Sequence, residues 1–171
     1  MDWPYLHTVV NHFPIILTVV GAAVAVFALI TRKRGAWLYA VVSLTFAGLA
    51  AYPAFFSGQQ AEEGMEHKWF VVKSMIDAHE ESAEAALSLL LVAGVISAYA
   101  WWRMMRRERD GLPPRWLRVL VVVSALASFG GVGYAGYEGG KIVHESPKLM
   151  QSTGPGAASP AAGDSAAERE R

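Results

Sequence analysis

The chain has 171 residues, is 53% hydrophobic, has a mean hydropathy of +0.27 and carries no net formal charge. The absence of cysteine excludes disulfides, Cys-ligated zinc, iron–sulfur clusters, thiolate copper and haem attached through C-x-x-C-H. Balanced charge gives no reason to expect nucleic acid as a partner, and the long apolar runs point to a bundle in a lipid bilayer.

Residues 13–30 form an uncharged apolar run, near the minimum length for crossing a hydrocarbon core of roughly 30 Å. The N-terminus lacks the basic region and small-residue cleavage site of a cleaved signal peptide, so this span is expected to remain as an anchor. Asp2 and Pro4 allow the helix to start earlier. Pro14 then lies inside it, removes a bond to the Val10 carbonyl and kinks it. In a regular helix His7 and His12 point about 140° apart. Arg32, Lys33, Arg34 and Gly35 stop the span.

The second uncharged run covers residues 36–56, with Trp37, Tyr39 and Tyr52 at its ends, where aromatics suit the headgroup level. A polar loop from Gln59 to Glu84 follows, and Glu62, Glu63, Glu66, His67 and Lys68 fit a short interfacial helix or a solvated connector. The third span runs from Ala85 to Trp102, and its helix is expected to start near Asp77, behind acidic residues suited to a helix N-terminus. The fourth begins at Val119 and continues to His144. Gly136 and Gly140 in it form a G-x-x-x-G pair, which predicts close helix contact or room for a flat cofactor. Residues 1–145 are thus read as one bundle, and 146–171 as a disordered Ser/Pro/Gly/Ala-rich tail.

The expected fold is an all-α, four-span membrane bundle with both termini on one face. The connectors at 31–35 and 103–118 hold nine Arg and Lys against Glu108 and Asp110. The other face takes the remaining six basic and thirteen acidic residues. The positive-inside rule therefore predicts a plasma-membrane (inner-membrane) protein with both termini outside.

All five histidines fall on that outer face: His7, His12, His67, His79 and His144. Imidazoles are common ligands of haem iron and divalent metals, and bundles build such sites from facing helices. H-E-x-x-H fails because Ala83 occupies the second histidine position after His79. No E-x-x-H occurs, so the carboxylate di-iron pattern is missing. Glu63 and His67, with Glu66, form a weaker candidate metal pair.

Leu6-His7 followed by Asn11-His12-Phe13-Pro14-Ile15 resembles the H-P-x-x-V-H-F-P-I opening of a bacterial membrane-protein family known as domain of unknown function 2231. Ser57-Gly58-Gln59-Gln60-Ala61 is similar to that family's S-G-x-x-A, and His79 and the glycine-rich helix ending in Val143-His144 also fit. The resemblance covers roughly residues 5–145. Thr8 stands where the family has proline, and Glu145 where it often has glycine. It implies a four-helix membrane fold, a redox setting, and His7, His12, His79 and His144 as functional positions. It implies no established activity.

The expected function is a non-enzymatic, b-type cytochrome-like subunit that binds haem b near the outer face and transfers electrons. It would work with a redox partner or other subunits of a membrane complex. His12 and His79 are the first ligand pair, His144 the substitute for either, and His7 a supporting or quinone-facing residue. The alternatives are a divalent-metal transport or sensing site using the same histidines with Glu80 or Glu63, and a structural subunit without cofactor.

Overall fold

The computed structural model describes residues 2–63, 72–106 and 111–145. They form five helices: α1 (Trp3–Val10), α2 (His12–Thr31), α3 (Arg34–Glu63), α4 (Lys73–Arg106) and α5 (Arg115–His144). No strand occurs among the described residues. α1 and α2 act as one broken span, so four rods are long and apolar enough to cross a membrane. Helix occupies more of the expected polar loop than its composition suggested. Residues 59–63 continue α3, and residues 73–84 already belong to α4, since Gln, Glu, Ala and Lys are good helix formers whether or not lipid surrounds them. The reading of His67 and the tail reading at 146–171 lie outside the described residues.

Local chemistry explains where each rod starts and stops. Asp2 caps α1 by accepting from the Tyr5 amide at 3.3 Å, and Pro4 occupies its first turn. Pro14 has no amide hydrogen to offer Val10, and the helix is interrupted at Asn11. The interruption is slight. Asn11 keeps right-handed helical angles, its amide donates to His7 O, and Ile15 N donates to Asn11 O. The helical phase therefore carries through the break. Arg32 ends α2 in the left-handed region with φ 55°, turning the chain into α3 within two residues.

The four rods form a ring in which α2 and α4 each pack against both α3 and α5. The inside is built from small residues. Ala25, Ala28, Ala40, Ala47, Ala100 and Ala125 are fully buried, while Ile30, Leu49, Val95 and Val123 face outward. Apolar side chains turned outward suit lipid contact, where small interfacial residues let helix backbones approach. The closest approach is at Gly48 of α3 and Gly94 of α4. A Cβ on Gly48 would stand 2.9 Å from Leu90 O and 3.0 Å from Gly94 Cα. Gly136 and Gly140 do not make such a contact among the described residues, because a Cβ at either meets nothing within 4 Å.

At the end carrying the basic connectors, Trp37, Met104 and Leu117 fill the core, and Arg34 donates to Met104 O at 3.3 Å. At the opposite end the packing opens into a cleft.

Candidate histidine cleft

Among the described residues, two histidines line this cleft: His7 from α1 and His79 from the first turns of α4. Each ring is clamped the same way. His7 lies over Gly58, where a Cβ would come within 3.0 Å of its Cε1. Its Nδ1 donates to Ala54 O at 3.0 Å, one helical turn before that glycine, and also approaches Ser57 Oγ at 3.2 Å. His79 lies over Gly139, again with a Cβ position 3.0 Å from Cε1, and its Nδ1 donates to Ala135 O at 3.0 Å. A carbonyl only accepts, so the proton sits on Nδ1 in both rings. In the neutral form of each ring, Nε2 is then the atom that carries the lone pair. Metal-bound histidines are oriented in this manner, the second nitrogen held by a carbonyl or carboxylate.

The rest of the cleft repeats the same symmetry. On the first rod, Asn11, Pro14 and Ile15 line it; on α4, Ala83, Ala86 and Leu87 do. These pairs, like His7 and His79, are each 72 residues apart. Ala51, Ala54 and Phe55 on α3 match Val132, Ala135 and Gly136 on α5, each 81 residues apart. The register extends down the bundle: Thr18 with Leu90, Ala25 with Ser97, Ala28 with Ala100, Ala40 with Val121 and Leu44 with Ala125 are all buried pairs. The chain is thus two helical hairpins of like design. Both start from the same end, so the operation relating them is a two-fold along the bundle axis, as in parallel membrane repeats.

Among the described residues, no Asp, Glu, Lys or Arg lines the cleft. Its cavity is about 110 Å³, within about 580 Å³ of atom-free space that includes the open mouth. Besides the imidazoles, the one polar side chain among its described lining residues is Asn11, whose Oδ1 is buried without a hydrogen-bond partner. Glu138 is buried beside Gly139 and pairs with Lys141, in the place that Ser57 holds beside Gly58.

The other sequence candidates lie elsewhere. His12 is exposed, does not line the cleft, and turns its Nδ1 back to Thr8 O. The reason is the preserved helical phase: with His7 inward, a residue five positions later must point away. His144 is exposed at the last residue of α5. Glu80 is half-buried but absent from the cleft lining, and Glu63 is exposed at the end of α3. His67 and Glu66 lie outside the described residues. No group of three or more His, Cys, Asp or Glu able to hold a metal occurs among the described residues.

Phe55, Gly139 and the clamping carbonyls of Ala54 and Ala135 do not stand out in the sequence as site residues. The signal that could find them is the pair of glycines, Gly58 and Gly139, each four residues after an alanine.

Comparison with protein-family models, with characterised proteins and with solved structures finds no match to this chain.

Proposed function

We propose that the protein is a multi-pass membrane subunit that binds one haem b between His7 and His79 and transfers electrons. The observation that carries this reading is the paired clamp: two imidazoles from opposite hairpins, each with Nδ1 held by a main-chain carbonyl, share one apolar cleft. A bis-histidine haem needs two fixed nitrogens and a slot with short walls. Ala51, Ala54, Ala83, Ala86, Ala135 and Gly136 are such walls. The cleft encloses about 110 Å³ and is open to the outside. A haem held there would extend beyond that enclosed volume through the open mouth.

Haem b, when bound, supplies one-electron chemistry. This chain supplies the orientation of both rings, a described lining without charged side chains, and apolar walls that would limit water around the ligand nitrogens. Membership in the family of domain of unknown function 2231 belongs to the same proposal, on the motif at Leu6–Ile15. So does the orientation: the basic connectors inside, the cleft and both termini outside, in the plasma membrane.

One observation favours a second reading. The unpartnered Asn11 Oδ1 lines the same cleft as the two imidazoles, which together would offer a divalent cation two nitrogens and one amide oxygen. Optical spectra and metal analysis of the purified protein separate the two. A Soret band with a sharp reduced α-band, lost in His7→Ala and His79→Ala, supports haem. Stoichiometric zinc or copper in colourless protein supports the cation. A protein with neither is a structural subunit.

A further inference from the structure

The two hairpins match closely around the cleft, and the mismatches fall on opposite walls. The largest in volume is Phe55 against Gly136. Phe55 puts a half-buried ring into the α3 wall. At the related position on α5, Gly136 leaves the wall without a side chain, is exposed, and has nothing within 4 Å of its Cβ position. Gly133 and Gly140, one turn to either side, are equally open. One side of an otherwise two-fold cleft is therefore closed by a ring, and the other is open.

This asymmetry matters because of where the histidines sit. They come from the two rods that lie across the bundle from each other, so a flat ligand held between them has its edges directed at α3 and α5. We propose that Phe55 and Gly136 are specificity-determining residues that fix the side on which the ligand lies: a flat macrocycle would be displaced toward α5 and enter past Gly136. This rests on the haem reading. Asn11, whose counterpart Ala83 is apolar, puts the cleft's unpartnered amide oxygen on one wall only. The bound ligand thus has a distinguishable pair of faces as well as a pair of edges.

The test uses the full chain in mild detergent, titrated with haemin and followed by the Soret band. Gly136→Phe gives both walls a ring and is expected to weaken haemin binding about tenfold or more, as added bulk in a filled site does. Phe55→Gly is expected to retain binding, and the exchange Phe55→Gly/Gly136→Phe to restore it by opening the α3 side. Because the chain has no cysteine, Gly136→Cys provides a control that folds before it is challenged: a bulky maleimide attached afterwards should block haemin, and bound haemin should slow the attachment. Unchanged haemin affinity in both Gly136→Phe and the labelled Gly136→Cys protein overturns the inference. If His7→Ala and His79→Ala lose haemin in that case, the haem reading survives it. A wild-type protein that takes up no haemin overturns both.

Discussion

His7 and His79 stand 72 residues apart and make the same contact, each ring lying on a glycine and donating Nδ1–H to the carbonyl four residues before it. The arrangement converts two short sequence features into one site. A glycine admits the ring, and the helix supplies the acceptor.

Gly58→Ala and Gly139→Ala should therefore act alike. A methyl at either position comes within 3.0 Å of an imidazole carbon, so the ring must shift by a few tenths of an ångström. Cofactor affinity is expected to fall about tenfold in each, with little change in the melting of the cofactor-free protein. Haemin titration and a melting curve of the same sample make the check.

His12→Ala and His144→Ala should retain the cofactor and change stability by no more than about 0.5 kcal/mol, as surface substitutions do. His7→Ala and His79→Ala should abolish it. Loss of the cofactor in His12→Ala but not His7→Ala would restore the pairing expected from sequence.

Packing gives a third contrast. Gly48→Leu places a side chain against the backbone of α4 and is expected to destabilise the bundle by about 1–3 kcal/mol or more. Gly140→Leu, in open space, should leave melting unchanged in the isolated protein. Equal effects would show that α5 is closely packed at Gly140.

For topology, reporters fused after residues 34, 112 and 145 should read inside, inside and outside. The basic connectors carry the expectation, and a cytoplasmic reading at 145 reverses the proposed orientation.

Four spans are legible in the sequence because each is an uncharged run bounded by aromatics, arginines or proline. The cleft is less so. Choosing between His7 and His12 depends on whether Pro14 disturbs the helical phase, and that is decided by Asn11 keeping helical angles. Gly136 and Gly140 stand out by spacing, whereas the close crossing uses Gly48 and Gly94, which belong to different helices and form no motif in sequence. The repeat is hidden for a related reason. What recurs is burial, as in Thr18 with Leu90 or Leu44 with Ala125, and burial inside a bundle constrains size and position far more than identity. His7 with His79, Ala54 with Ala135 and Gly58 with Gly139 are identical because each takes part in a clamp.

Since each hairpin contributes one imidazole, neither half holds a complete site until the two are side by side. A ligand that bridges them would be a cross-link between the two hairpins, its binding free energy added to the stability of the folded bundle. At a free concentration of one hundred times its dissociation constant, the added stability is about 2.7 kcal/mol. That is comparable to the effect of a disulfide in a protein that has none. Cofactor supply would thereby add to the stability of a bundle whose hairpins already pack together at Gly48 and Gly94, and the loaded protein should melt higher than the cofactor-free protein.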